Sequence, residues 1–274
     1  MANKHMPYDL AQMQSLPLKA KITMTKQRIR QWHEYWDGEV YVSFSGGKDS
    51  TVLKHIVDSM YKDVPALFVN TGLEYPEIQQ FVREIKNGKY DCFNSDVEIV
   101  RPEMRFDEVV KKYGYPVASK ELSRKVQYAK KGSEWAKKYV DGTAEFNGVK
   151  SRYVISKRWL NLMDAPFDVS AYCCDVMKKK PASKYAKQTG RKPFVGVLAD
   201  ESEIRKQAWI RTGCNAFESK KPKSQPLSFW TEQDILHYIK EFNVPYCSVY
   251  GDIVAKPIDD EIEGQITVFD VIGN

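Results

Sequence analysis

Short apolar segments alternate along this chain with longer stretches in which apolar residues recur at helical spacing. The short segments are bounded by turn residues, and they predict buried strands at 40–44, 64–69, 97–100 and 194–198. The longer stretches predict amphipathic helices at 18–36, 76–86, 106–113, 122–138, 175–187 and from 232 onward. Strands that alternate with helices indicate an α/β fold built on a doubly wound, mostly parallel sheet.

Capping residues define several of these helix ends. Pro76 lies in a first turn, where its missing N–H costs nothing, and Thr231 is a candidate N-cap. Gly190 is expected to close the helix that follows residue 174, and Pro245 is expected to stop the last one. The pattern divides the chain into an N-terminal helical segment, an α/β domain with a basic helical insertion, and a C-terminal extension. We place these at 1–36, 37–212 with the insertion at about 111–158, and 213–274.

The most informative polar segment is Ser-Gly-Gly-Lys-Asp-Ser at 45–50, which we call the SGGKDS loop. It follows the first predicted strand directly and opens the next helix. Adjacent glycines permit backbone angles closed to other residues, so consecutive N–H groups can point at a ligand beside the positive end of a helix dipole. Lys48 adds a cation, and Ser45 and Ser50 add hydroxyl groups. The spacing is neither that of a Walker A loop nor GxGxxG. It predicts a site for pyrophosphate or a similar oxyanion.

Two further segments follow predicted strands, and parallel strands end at the same edge of a sheet. Thr71-Gly72 follows the second strand, and 199–201 follows the fourth. We therefore expect both beside the SGGKDS loop. Arg205 comes just after the fourth predicted strand, where a guanidinium could hold phosphate or sulfate through two parallel hydrogen bonds. Asp49 is a candidate ligand for the Mg²⁺ that accompanies ATP.

Charge is concentrated in the middle of the chain. The formal net charge of the 274 residues is +6, and 111–158 contains thirteen Lys and Arg against four Asp and Glu. Such a segment suits a polyanion, either a nucleotide or a nucleic acid, although a solvated helical face explains it equally well. No apolar run reaches membrane-spanning length, and the polar start has no signal-peptide pattern. We expect a cytoplasmic protein without a membrane partner, and self-association stays open.

Five cysteines are present, and in a cytoplasmic protein they are expected as thiols or metal ligands rather than disulfides. Cys173 and Cys174 are adjacent, and the lysines at 178–180 favour their thiolate forms. Thiolates bind iron–sulfur clusters or attack sulfur, and Cys214 and Cys247 could complete a set of four. The alternative is a pair of small buried residues before a helix. No CxxC pair occurs, so spacing identifies no cluster.

Several motifs occur in a familiar order, namely SFSGGKDS, NTGLEYPE, CCDVMKKKP, GVLADESEIR and PLSFWTEQDILHYIKEFNVPY. Together, across roughly 41–246, they resemble the phosphoadenosine phosphosulfate (PAPS) reductase-like family of the PP-loop ATP pyrophosphatase superfamily, in its bacterial and phage forms. The resemblance implies a Rossmann-like, adenine nucleotide α-hydrolase-like fold. It also implies that a Cys-Cys pair matching Cys173 and Cys174 helps hold a 4Fe-4S cluster in some relatives. The residues expected at the nucleotide or its phosphates are Ser43, Ser45, Gly46, Gly47, Lys48, Asp49, Ser50, Thr71, Gly72 and Arg205.

Two departures from that family direct the functional hypotheses. The chain ends without the catalytic cysteine tail of the sulfate-cleaving members, and its intact SGGKDS loop resembles ATP-cleaving members such as the sulfate adenylyltransferase small subunit. The leading hypothesis is cleavage of ATP·Mg²⁺ at the α-phosphate with adenylyl transfer linked to sulfur chemistry. Its candidate catalytic residues are Lys48, Asp49, Arg205, Cys173 and Cys174.

Two other hypotheses remain. One is a PAPS or adenylyl-sulfate reductase that uses a thiolate or an iron–sulfur centre, with a thiol reductant such as thioredoxin. The other is a nucleotide-dependent regulator or modifier of nucleic acid, which would bind through the basic segment at 111–158.

Overall fold

The computed structural model of the protein describes residues 4–146, 148–151 and 153–253. Within these ranges, six strands form one sheet in the order β3–β2–β1–β6–β8–β7, and β4 and β5 form a separate hairpin. The strands are β1 Val40–Phe44, β2 Ala66–Val69, β3 Val97–Val100, β4 Glu145–Phe146, β5 Val149–Lys150, β6 Lys192–Val195, β7 Asn215–Ala216 and β8 Lys223–Ser224. All neighbours in the large sheet are parallel except β7 and β8. Val42 of β1 is in register with Ala66 of β2 and with Phe194 of β6.

Helices connect and flank these strands. The α-helices are α1 Pro7–Gln14, α2 Leu18–Tyr35, α3 Lys48–Met60, α4 Pro76–Lys86, α5 Phe106–Tyr113, α6 Lys120–Lys130, α7 Glu134–Val140, α8 Lys180–Thr189, α9 Glu203–Thr212 and α10 Glu232–Glu241. A π-helical turn at Asp175–Lys179 leads into α8, and 3-10 turns occur at Lys157–Met163, Ala199–Glu201 and Ser248–Tyr250. No described helix is long and apolar enough to cross a membrane.

Both faces of the sheet are covered, which confirms the predicted doubly wound α/β fold. Along β1, Val42 and Phe44 point into the main hydrophobic core, whereas Tyr41 points to the opposite face. There the ring of Tyr41 meets the ring of Tyr185 from α8, with 5.0 Å between their centroids. This alternation follows from the two-residue period of a strand.

Three boundaries differ from the sequence-based predictions. The helix predicted at 122–138 is two helices, because Gly132 adopts a left-handed φ of +83° between α6 and α7. The strand predicted at 194–198 corresponds to β6, which begins and ends earlier, at Lys192 and Val195. The last helix, α10, ends at Glu241, ahead of Pro245, and Asn243 in the following turn has a φ of +47°.

The N-terminal helix α2 is joined to the segment around α10 by buried polar contacts. Lys21 Nζ lies 2.7 Å from Asp234 Oδ2, and both residues are buried. Asp234 also accepts a hydrogen bond from the backbone N–H of Thr231 at 2.6 Å, which completes the predicted N-cap of α10. Trp230 Nε1 donates a hydrogen bond to Thr25 Oγ1 at 2.9 Å. The first turn of α10 is therefore held in place from α2.

The basic insertion has a small core of its own. Leu122 and Val126 of α6 pack with Ile155, Leu162 and Val169 in a cluster separate from the main core. The division of the chain into three parts stays a prediction. The structure does place β7 and β8, which follow residue 212, in the same sheet as β1.

Candidate anion-binding site

The SGGKDS loop joins the end of β1 to the start of α3. Gly46 has a φ of +73°, and a Cβ there would lie 2.9 Å from Ile78 Cγ2 of α4. Only glycine fits both the backbone conformation and this close approach. Gly47 is the N-cap of α3, and the first N–H groups of that helix have no intrahelical acceptor. The positive end of the α3 dipole therefore lies at the SGGKDS loop.

The two serines of the loop hold its shape. Ser45 Oγ and Ser50 Oγ lie 2.9 Å apart, and Ser50 Oγ donates to the Gly47 carbonyl oxygen at 2.9 Å. The Gly47 N–H in turn donates to Ser45 Oγ at 3.3 Å. The sequence predicted these hydroxyls as donors to an anion, whereas here they are used within the loop. The groups left for an anion are the backbone N–H groups of the first turn and Lys48.

Lys48 is held by two carboxylates. Its Nζ lies 3.0 Å from Asp49 Oδ1 and 3.1 Å from Glu232 Oε1. Burial disfavours the charge on Lys48, but the hydrogen bonds to Asp49 and Glu232 outweigh this effect and raise its pKa. The ammonium group is therefore charged at neutral pH and can exchange one carboxylate for a phosphate oxygen.

A cavity of about 400 Å³ opens above the N-terminus of α3. On its far side, Gly196 follows β6 and lies against the first turn of α3, because a Cβ on Gly196 would be 2.9 Å from Ser50 Cα. The cavity is lined by Ser43, Ser45, Gly47, Lys48, Asp49, Ser50, Val195, Gly196, Val197, Glu201, Arg205 and Tyr250. Most of the residues predicted at the phosphates thus share one cavity at the carboxyl edge of the sheet.

Arg205 reaches this cavity from the first turn of α9. It forms an ion pair with Glu201, four residues earlier. Burial together with the nearby Arg205 charge lowers the pKa of Lys223, a β8 residue that the sequence analysis did not single out. Lys48 and Arg205 therefore both line the cavity, and Lys223 is close enough to Arg205 for their charges to interact.

Thr71 and Gly72 lie at the end of β2 but do not line the cavity. The Thr71 N–H donates to Glu74 Oε2 at 2.9 Å, and Thr71 Oγ1 donates to Glu74 Oε1 at 2.7 Å. The Gly72 N–H donates to Asn70 Oδ1 at 2.9 Å. These contacts describe a self-contained turn, so the predicted nucleotide contact through Thr71 requires Glu74 to move.

The cysteines are dispersed. Cys173 and Cys174 line a separate cavity of about 200 Å³ beside α6, whereas Cys214 and Cys247 are buried in the main core. Among the residues that the structure describes, no three His, Cys, Asp or Glu side chains are grouped so as to hold a metal ion. The predicted four-cysteine ligand set is therefore not assembled, because tertiary structure separates its members. Burial and the neighbouring Cys174 also raise the pKa of Cys173, so the adjacent lysines do not produce the expected thiolate there.

Two contributors to the site were missed by sequence reasoning. Tyr250 approaches the loop so closely that a Cβ on Gly47 would lie 3.2 Å from its phenol oxygen. Glu232 opens α10 and contacts Lys48 across more than 180 residues of sequence. Tyr250 lies outside the quoted motifs, and Glu232 lies within PLSFWTEQDILHYIKEFNVPY, where nothing in the sequence marks it as a partner of Lys48. Only the tertiary fold brings the two residues to the loop.

Comparisons with known proteins find several relatives of this chain. Two uncharacterized proteins of Methanocaldococcus jannaschii are 29% identical over 43% of this chain and 23% identical over 81% of it. This chain spans only 29% and 35% of their lengths.

Two other relatives are named as reductases. The phosphoadenosine 5'-phosphosulfate reductase of Proteus mirabilis is 22% identical over 78% of this chain and 66% of its own length. The adenosine 5'-phosphosulfate reductase of Oceanobacillus iheyensis is 23% identical over 82% of this chain and 72% of its own length. The phosphate complex of the PAPS reductase from Candida auris superposes with a TM-score of 0.48 at 17% identity, over 86% of this chain and 92% of that one.

The sequence model of the phosphoadenosine phosphosulfate reductase domain matches residues 39–255. That span begins just before β1 and includes the SGGKDS loop, the paired cysteines, Arg205 and α10. The chain therefore belongs to the phosphoadenosine phosphosulfate reductase domain family.

Proposed function

We propose that this protein binds ATP at the SGGKDS loop, cleaves it at the α-phosphate and transfers the adenylyl group to an acceptor linked to sulfur chemistry. The observation that carries this proposal is the cavity of about 400 Å³ at the N-terminus of α3. Lys48, Arg205 and the first N–H groups of α3 would contact an anion there, once Lys48 and Arg205 exchange their carboxylate partners for it.

The reaction needs little covalent help from the protein. A nucleophilic atom of the acceptor attacks the α-phosphorus, and the bond from that phosphorus to the bridging oxygen of the β-phosphate breaks. Pyrophosphate leaves with the electron pair, and the acceptor proton passes to water. Lys48 and the loop N–H groups would stabilise the charge that builds on pyrophosphate, and Arg205 would exchange Glu201 for a phosphate oxygen.

A magnesium ion that arrives with ATP would meet carboxylates in the same cavity. Asp49 and Glu201 both line it, and Mg²⁺ on a nucleotide usually takes only one or two protein carboxylates. In the resting structure these two groups neutralise Lys48 and Arg205. Phosphate binding to the two cations would release both carboxylates for the metal.

Reduction of PAPS or adenylyl sulfate is the second candidate, and the names of the Proteus and Oceanobacillus relatives favour it. It requires a thiolate, supported by an iron–sulfur centre or a reductant such as thioredoxin. The residues that line the cavity include no cysteine, and Cys173 and Cys174 line a different one. This separation is why we prefer adenylyl transfer.

The test is to measure ATP binding by calorimetry and pyrophosphate release with candidate acceptors. Loss of a charge-assisted hydrogen bond removes about 1.5–3 kcal/mol, so Lys48→Ala should weaken ATP binding about ten- to a hundredfold. Lys187→Ala, which removes an exposed cation of α8, is the matched control and should bind as the parent does. A parent protein that neither binds ATP nor releases pyrophosphate, and that forms sulfite from a sulfonucleotide with a thiol reductant, would establish the second candidate instead.

A further inference from the structure

One exposed face of α6 combines basic and aromatic side chains. Lys120, Arg124, Tyr128 and Lys131 are spaced by four, four and three residues, so they lie on the same side of the helix and its C-terminal turn. All four are exposed, and Trp135 of α7 continues the row with 42% of its surface exposed. We call these five residues the α6 face.

The aromatic members of this face form a platform. The ring of Tyr128 lies 5.5 Å from that of Trp135, and the guanidinium carbon of Arg124 lies 5.9 Å from the Trp135 ring. Tyr172, which is 37% exposed, is a neighbour of Tyr128, and the interaction with Tyr128 raises the pKa of Tyr172. Contiguous exposed rings, rather than single ones, are the feature that marks interaction surfaces.

Positive charge on this face is only partly compensated, because Lys120 has an acidic partner in Asp175 at 3.5 Å. The acids of α6 and α7 have other basic partners, since Glu121 pairs with Lys125 at 2.7 Å and Glu134 pairs with Lys137 at 2.7 Å. Arg124 and Lys131 take part in none of the ion pairs found among the described residues. An anionic partner would therefore gain attraction here without first displacing a carboxylate from these two side chains.

We propose that the α6 face binds a single-stranded nucleic acid. Cations that reach phosphates, interleaved with aromatic rings on which bases stack, are the features with which proteins hold single strands. A duplex would hide its base faces from Tyr128 and Trp135. An acidic peptide would use the cations but would gain little from the exposed rings.

Contacts connect this face to the edge of the sheet that carries the SGGKDS loop. Asp175, the first residue of the π-helical turn, links that turn to α6, because its Oδ1 lies 3.5 Å from Lys120 Nζ and 2.6 Å from Lys179 Nζ. In the same turn, Lys178 Nζ lies 4.0 Å from Glu74 Oε1, and Glu74 holds the loop after β2. A nucleic acid bound to the α6 face would be a suitable acceptor for adenylyl transfer. Only this acceptor role rests on the proposed function.

The test uses the full chain and fluorescence anisotropy with labelled single strands of RNA and DNA, each about 20 nucleotides long to exceed a typical site. We expect Arg124→Ala/Lys131→Ala to lower affinity and to reduce the slope of log affinity against log salt by about 0.7 for each lost phosphate contact. Trp135→Ala should weaken binding at least about fivefold, and Trp135→Phe should restore most of it. The control is Lys19→Ala/Lys26→Ala, which removes two exposed cations from α2.

The outcomes separate this inference from the ATP proposal. ATP affinity should be unchanged in the α6-face variants, and Lys48→Ala should still bind the single strand. Absence of binding to either strand, equal loss in the α2 control, or equal affinity for a duplex of the same length would overturn the inference. Equal affinity for RNA and DNA would show that contacts with phosphates and base faces are sufficient for binding. A higher affinity for one of them would identify it as the preferred ligand.

Discussion

Replacing Glu232 with glutamine removes the exposed carboxylate that competes with an incoming phosphate for Lys48. The glutamate side chain is 66% exposed, and its Oε1 lies 3.1 Å from Lys48 Nζ. Asp49, on the other side of the ammonium group, is retained in this variant. The substitution therefore leaves Lys48 charged while weakening one of the contacts that phosphate must displace.

The magnitude follows from the exposure of that pair. Exposed ion pairs contribute roughly 0.2–1 kcal/mol, because water and salt screen them. The upper end of that range corresponds to about fivefold in a binding constant. We expect Glu232→Gln to bind ATP about two- to fivefold more tightly than the parent, and the gain should shrink at roughly 0.5 M salt, where the Debye length is only a few ångströms.

The assay is calorimetric titration of ATP at low and high salt, with Glu241→Gln as the matched control. Glu241 ends the same helix, so its replacement changes the net charge equally without touching Lys48. Glu232 also lies at the favourable end of the α10 dipole, and its loss should lower stability by about 0.3–1 kcal/mol. Unchanged or weaker ATP binding by Glu232→Gln, or an equal gain in Glu241→Gln, would refute this explanation.

Three further predictions concern the scaffold around the cavity. Asp58→Ala leaves the fully buried Lys54 ammonium without the carboxylate that lies 2.7 Å away, and should lower the free energy of unfolding by about 3–5 kcal/mol in urea titrations, whereas exposed Asp63→Ala should change it little. Gly196→Ala places a Cβ 2.9–3.0 Å from the α3 backbone and should cost about 1–3 kcal/mol and weaken ATP binding; unchanged stability and affinity would contradict the packing argument. Burial, reinforced by nearby lysines, lowers the pKa of His55 from its usual 6.5, so the unfolded chain takes up this proton first. Stability should therefore be complete above about pH 6.5 and fall as the pH drops toward the folded-state pKa, and denaturation curves of His55→Gln across this window should lack that step.

Local signals were sufficient for much of the fold. The apolar run of β1, Pro76 at the start of α4 and the Thr231 cap of α10 each act within a few residues, and all three predictions are confirmed. The predicted helix at 122–138 was wrong as a single element, because helical spacing continues across Gly132 while the backbone there turns left-handed. The spacing of apolar residues gives no indication that a single residue between two helices has a positive φ.

The site was less predictable because its members are distant in sequence. The SGGKDS loop and Arg205 could be found from motif and position, and both line the cavity. The contact of Glu232 with Lys48 depends on where α10 packs, which no local pattern encodes. The four cysteines show the opposite error, because residues with suitable chemistry are separated by folding.

The buried contact between Lys21 and Asp234 joins α2 to the first turn of α10. A shortened chain that started at β1 would leave the Asp234 carboxylate without its cation and the Trp230 indole without its acceptor. Such a fragment would retain every family motif and yet lose the anchor that positions Glu232 over the loop. A shortened form of this protein should therefore retain α2.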